Sequence, residues 1–210
     1  MNINDLWQSK NEADWLDSLN QYWGFVKPAN LMLEKKLDNL DSNRIKAMSL
    51  EDFYNFLMDD YFQWKFTDSR WLNQNKNHLA RYVLEQKLDE LSAIQSKLFS
   101  FNLDDIREGL TIASSINGLG IAGGSGLLSL LFPNYFGTVD QFVVKALSSI
   151  ERLPETNDVL NMAQTNLKIN NGVFLITIMR NKASELNMIF HNNSWSPRAI
   201  DKVLWAARNA

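Results

Sequence analysis

The sequence predicts an all-α protein, and three observations carry that reading. Apolar residues recur at spacings of three and four along most of the chain, as on one face of a helix. Helix-opening residues stand just ahead of those stripes, at Ser49, in the Asn102-Leu103-Asp104-Asp105 run, at Asp140 and at Ser196-Pro197. The β-branched run at 173–178 leaves a strand as the second choice there, because Ile176, Met179, Ala183, Leu186 and Phe190 keep the helical spacing.

In chain order, the first 48 residues read as two or three helices that cap the main body and carry no chemistry. Leu6, Trp7, Trp15, Leu19, Tyr22 and Trp23 sit at loosely helical spacing, and Pro28 opens a helix from Ala29 to Leu40. Ser49, with Glu51 and Asp52 in the first turn, opens a helix through Phe66. That helix is aromatic or apolar on nearly every side, so it is buried or faces a cleft. His78 to Phe99 reads as another amphipathic helix. Leu103, Ile106, Leu110, Ala113 and Ile116 form the stripe of the next one. Leu127, Leu128, Leu130 and Leu131 bury its successor, which Pro133-Asn134 ends. Asp140 opens a helix to Ile150, and Thr156 or Asn157 opens one that ends near Asn171-Gly172. Val173 to His191 is one long helix. Ser196 caps the last helix, with Pro197 at its first position and Trp195 stapled onto Ile200. Repeats, low-complexity tracts and linkers are absent, so residues 1–210 read as one compact unit.

Composition bounds the function. The chain has no cysteine, which excludes disulfides, thiolate zinc sites and iron–sulfur clusters. Two distant histidines, His78 and His191, argue for no metal, and nothing calls for a cofactor. The opening Met-Asn-Ile-Asn-Asp has no apolar secretory core, and the longest apolar run, 173–179, is too short to span a bilayer. A soluble cytoplasmic protein, monomeric and without a membrane partner, is expected. The net charge of −3 hides a polarity. Residues 1–60 carry 6 basic against 11 acidic side chains, and 101–160 carry 3 against 7. The segments 61–100 and 161–210 carry 6 against 4 and 6 against 2. If those two basic segments meet, they form a positive face on an acidic body.

The most informative stretch is Ile116-Asn117-Gly118-Leu119-Gly120-Ile121-Ala122-Gly123-Gly124-Ser125-Gly126, followed by Phe136-Gly137-Thr138-Val139-Asp140. Five glycines fall within nine residues between helical flanks, although each glycine inside a helix costs about 1 kcal/mol relative to alanine. Gly118 and Gly120 would allow positive φ in a tight turn. The small residues from Ala122 to Gly126 would let another helix or a ligand approach closely. Such a turn aims backbone N–H groups outward at a helix N-terminus, which makes an anion site without a basic side chain.

This pattern resembles the helix-hairpin-helix DNA glycosylase superfamily over roughly residues 103–150. Ile116, Gly118, Leu119 and Gly120 match its hairpin, Gly124 its small-residue position, and Val139-Asp140 its catalytic aspartate. The resemblance implies two interlocked helical lobes with a cleft, and a double-stranded DNA partner carrying a damaged or modified base. It implies that Asn117, Gly118, Leu119, Gly120 and Ala122 hold a DNA phosphate. Asp140 would then act in hydrolysing the N-glycosidic bond. In bifunctional members a lysine sits two residues after the second glycine. Here that position is Ala122, Lys145 is the nearby substitute, and the reaction is expected to stop at base removal, in repair or in defence against phages with modified DNA.

A base must leave the stack before its glycosidic bond is reached. By side-chain type, Tyr54, Tyr61, Trp64 and Asn187 are pocket candidates. Tyr135, Phe136 and exposed members of 64–71 are wedge candidates. Lys65, Arg70, Lys76, His78 and Arg81 interleave with Trp64, Trp71 and Tyr82, a mixture that suits a flipped base and its flanking phosphates. Asp59, Asp60 and Asp201 read as surface charges. Two other classes stay open: a non-catalytic helix-hairpin-helix DNA-binding module with Asp140 as a cap, and a helical protein–protein adaptor.

Overall fold

A computed structural model describes residues 1–207. Its helices are α1 (Ile3–Gln8), α2 (Glu12–Phe25), α3 (Leu31–Asp38), α4 (Ser42–Lys46), α5 (Leu50–Asn55), α6 (Phe62–Lys65), α7 (Ser69–Leu84), α8 (Leu88–Leu98), α9 (Ile106–Ser114), α10 (Ile121–Leu131), α11 (Gln141–Ser148), α12 (Thr156–Leu160), α13 (Ile169–Phe190) and α14 (Pro197–Ala206). There is no strand among the described residues. The side-chain caps explain why the chain starts helices where it does. Ser49 accepts from the Asp52 amide at 3.1 Å, Asp105 from Glu108 at 2.9 Å and Ser196 from Ala199 at 3.2 Å.

Several boundaries differ from the periodicity. The first 48 residues form four helices and a 3₁₀ turn at Pro28–Asn30. Between α5 and α6 the backbone widens into a π-helical stretch, Phe56–Tyr61, which re-aims the side chains that follow it. The stretch from His78 to Phe99 is two helices rather than one. Gln86 turns left-handed at φ 58°, and the Lys87 amide reaches back to the Tyr82 carbonyl at 2.8 Å. That is a Schellman ending built on a residue other than glycine, so the usual glycine signal is missing. The helix opening near Thr156 stops at Leu160, well short of Gly172. The run at 173–178 lies inside α13, because burial of Leu175, Ile176, Ile178 and Met179 outweighs β-propensity.

One hydrophobic cluster runs from Ile3 to Leu204. The N-terminal helices are part of it, through Trp15 wedged between Trp7 and Trp195 at centroid distances of 5.9 and 5.8 Å. Lys182 of α13 donates to the Trp7 carbonyl at 3.1 Å and pairs with Glu185 at 2.6 Å. α2 also packs along α14.

Candidate functional site

The hairpin joins α9 to α10, and its glycines have separate reasons. Gly118 sits at φ 89°, and a Cβ there would lie 2.6 Å from the Asn75 carbonyl oxygen of α7. Gly120 is different from expectation: its φ is −90° and a Cβ would meet nothing. Gly124 is bare because α9 passes so near that a Cβ would lie 2.8 Å from the Ser114 amide. The Asn117 amide is spent on the Tyr82 hydroxyl at 3.1 Å, and Leu119 is buried. Gly120 caps α10 without a side chain. The amides at the α10 N-terminus therefore have no side-chain acceptor, and Gly120 is exposed beside half-buried Ile121 and Ala122.

α10 also anchors the loop that carries Asp140. Ser125 accepts from the Val139 amide at 3.0 Å, and Ser129 shares a hydrogen bond with Thr138 at 3.1 Å. The Thr138 amide donates to Asp201 of α14 at 3.0 Å. Gly137 threads between α13 and α14, where a Cβ would lie 2.6 Å from Met179 Sδ and 2.7 Å from the Pro197 carbonyl. Asp140 thus arrives on a loop held from three helices. Its Oδ1 caps α11, accepting from Phe142 at 2.9 Å and Val143 at 3.2 Å. Its Oδ2 faces Lys65 Nζ at 3.9 Å. The two oxygens of one carboxylate divide capping from whatever Oδ2 does.

Asp140 and Lys65 stand on the wall of a cavity of about 210 Å³. At ~30 Å³ of liquid volume per water, this is room for one small ring system. The Lys65 side chain is 11% exposed. Burial lowers its affinity for a proton, Asp140 opposes that most strongly, and the balance stays below the ordinary lysine value. The facing wall is aromatic and ionic. Arg198 donates to Asp201 at 2.7 Å and to Glu34 at 3.4 Å; Lys202 and Asp38, which do not line the cavity, pair with each other at 2.5 Å. Glu34 also accepts from Trp64 Nε1 at 2.6 Å and from the Tyr22 hydroxyl. Burial, opposed by Arg198 and aided by Glu34, pushes the Tyr22 phenol well above its usual range, so it remains a proton donor.

Of the pocket and wedge candidates, the structure brings Trp64 and Lys65 to the cavity with Asp140. The others lie elsewhere. Tyr61 is fully buried, its hydroxyl donating to the Gly123 carbonyl, so it supports α10 from behind. Tyr54 packs partly buried against the core. Phe136 is fully buried and therefore no wedge. Tyr135 is 37% exposed in a separate depression, its carbonyl held by Arg180 at 2.7 Å. Asn187 lines that same depression and clamps the Trp195 backbone with both amide atoms, a structural task. Lys145 is exposed on α11, so it is not the amine beside Asp140.

Sequence reasoning missed the facing wall. The first 48 residues supply Tyr22, Leu33 and Glu34 to it, contrary to their reading as a cap without chemistry. Asp201, read as a surface charge, is 3% exposed. The available signal was weak: Arg198, Asp201 and Lys202 interrupt an otherwise apolar stripe. The same fact changes the charge reading. Lys182, Arg198 and Lys202 are buried and paired, so three of the basic side chains of 161–210 are withdrawn from a positive face. Arg180 is half-buried, Lys168 is exposed, and Arg208 lies outside the described residues.

No group of three or more His, Asp and Glu side chains among the described residues is placed to hold a metal ion. No helix among them is long and apolar enough to cross a membrane. Compared with family models, curated proteins and solved structures, the chain matches none.

Proposed function

We propose that this chain is a DNA glycosylase of the helix-hairpin-helix kind, with two helical lobes meeting at the Asp140 cavity. It hydrolyses the N-glycosidic bond of a damaged or modified base flipped out of double-stranded DNA, in repair or in defence against phages with modified DNA. The observation that carries this reading is the division of labour in Asp140, with Oδ1 holding the helix and Oδ2 turned toward a cavity of one-ring size. A flipped base needs such a pocket. Half-buried Trp64 lines the cavity as an aromatic side chain a base can pack against, and the uncapped N-terminus of α10 offers amides to a backbone phosphate. Cleavage passes through an oxocarbenium-like sugar, which a fixed carboxylate stabilises while it positions water.

The test is base release from a panel of duplexes carrying damaged and naturally hypermodified bases. At least one should lose its base with the parent and not with Asp140→Asn. If the parent releases no base from any of them, the enzyme reading fails. Salt-dependent DNA binding would then leave the binding-module reading standing, and its absence would favour the adaptor.

A further inference from the structure

Asp201 is nearly enclosed, at 3% exposure, yet it lines the same cavity as Asp140. One of its atoms serves two donors. Asp201 Oδ2 accepts from Arg198 Nη1 at 2.7 Å and from the Thr138 amide at 3.0 Å. Thr138 stands two residues before Asp140, in the loop between α10 and α11. The first turn of α14 grips that loop elsewhere as well. The Arg198 amide donates to the Pro133 carbonyl at 3.3 Å, and the Pro197 carbonyl would lie 2.7 Å from a Cβ on Gly137. Of these three ties to α14, the Thr138 amide is the one nearest Asp140.

A plain ion pair with Arg198 is the competing explanation. Arg198, however, also has Glu34 at 3.4 Å. Asp38 and Glu185 close on lysines at 2.5 and 2.6 Å, and among the described residues neither accepts a backbone amide. Those carboxylates balance charge. Asp201 balances charge and also satisfies a buried loop amide, which must find an acceptor somewhere. Asp140 itself is pinned at Oδ1, by the Phe142 and Val143 amides. The direction of its Oδ2 follows the backbone before it, held at Val139 by Ser125 and at Thr138 by Asp201.

We propose that Asp201 is a positioning residue for Asp140, fixing through the Thr138 amide the direction in which Asp140 Oδ2 meets the sugar. The proposal rests on the glycosylase reading of this cavity. Misplacing a reacting group by about 1 Å can cost ~10²-fold in rate. The loss therefore falls on the chemical step. DNA binding, which the α10 amides carry in that reading, stays as it is.

The experiment compares Asp201→Ala with Asp201→Asn in the full chain. Both remove the charge that faces Arg198, but only the carbonyl oxygen of the Asn side chain can accept the same two bonds. The probes are duplexes carrying uracil, hypoxanthine, 8-oxoguanine or 5-hydroxymethylcytosine, read for single-turnover base release and for DNA dissociation constant. Amide exchange at Phe142 and Val143, followed by NMR, reports the hold on Asp140 without any substrate. Urea unfolding should move the two variants alike, since both lose the charge. Asp201→Ala should release base ~10²-fold more slowly, with the dissociation constant within ~3-fold of the parent. Its Phe142 and Val143 amides should exchange at least ~10-fold faster. Asp201→Asn should recover rate and exchange to within ~5-fold of the parent.

Equal loss in the two variants makes Asp201 a counter-ion of Arg198 and overturns the proposal. So does an Asp201→Ala protein with the parent's rate or the parent's exchange. If Asp201→Ala does not fold, Asp201→Glu takes its place, keeping the charge while moving the oxygen by one methylene. It must then lose rate and protection, and an Asp201→Glu protein that behaves like the parent overturns the proposal. The two readings fail separately. The expected exchange pattern, with no base released by the parent from any duplex, removes the glycosylase reading and keeps the hold of Asp201 on Asp140.

Discussion

The two walls of the cavity are both charged but built in opposite ways. The Asp140 loop is held mainly by its chain neighbours, Ser125 and Ser129 on α10 bonding Val139 and Thr138, with distant Asp201 and Lys65 added to it. The facing wall joins Tyr22 and Glu34 to Arg198 and Asp201 across most of the chain length. There Arg198 closes on Asp201 at 2.7 Å and stands 3.4 Å from Glu34, whose carboxylate also accepts from Tyr22 and Trp64. On the Asp140 wall one carboxylate oxygen and one amine remain apart. Charges that satisfy one another give a site its shape and rigidity, while a spare oxygen and a spare amine can act on a ligand.

Removing a partner from the closed network should have the largest effect. Arg198→Met leaves buried Glu34 and Asp201 without their cation, and breaking a buried pair from one side typically costs about 3–5 kcal/mol. Urea unfolding reads this directly, and a variant as stable as the parent would mean that the facing wall is solvated rather than closed.

Next comes Asp140→Asn, on the open wall. The amide oxygen can keep the cap, so stability should change by less than about 1 kcal/mol. Base release should fall by ~10²–10³, the usual cost of losing one preorganised electrostatic group. An Asp140→Asn protein that melts like the parent and retains full base release reduces the aspartate to a cap and erases the contrast between the walls.

A smaller contrast lies within the hairpin. Gly118→Val forces a β-branched residue to φ 89° against the Asn75 carbonyl and should cost at least ~1–3 kcal/mol. Gly120→Val meets open space and should cost less than about 1 kcal/mol. It should instead weaken DNA binding alike for all sequences, because phosphate contacts carry no base information. Sequence-selective weakening would count against a phosphate clamp at α10.

The smallest effect is on a proton. The folded protein holds the Lys65 proton less tightly than the unfolded chain, whose lysine titrates near the ordinary 10.5. Stability therefore rises with pH through the interval between the lowered value and 10.5. Asp140→Asn removes the strongest influence that keeps the proton on, leaving Asp201 and Glu34 against burial and Arg198. The pH midpoint for reductive methylation of Lys65 by formaldehyde, read by mass spectrometry, should move lower still. An unmoved midpoint would show that the carboxylate and the amine are not neighbours in solution.

Much of the open wall was legible in the sequence because its determinants are local. Gly118 announces a left-handed turn, Ser125 and Gly124 announce a helix with a close neighbour, and Asp140 announces a cap by its place before an amphipathic stripe. Helix starts at Ser49, Asp105 and Ser196 were readable for the same reason, since a cap bonds amides two or three residues away. Helix ends were harder, as at Gln86, where a left-handed residue other than glycine closes α7. The tertiary structure alone decided what faces Asp140. Whether Tyr61 or Trp64 reaches the cavity depends on a π-helical stretch that shifts the register of everything after it. Whether Glu34 and Asp201 are surface charges or buried ones depends on Arg198, which is distant from Glu34 in the chain. Whether an amine stands beside Asp140 depends on α6 crossing α10 at Gly126. Long-range electrostatics and packing set those three answers, and neither leaves a periodic trace along the chain.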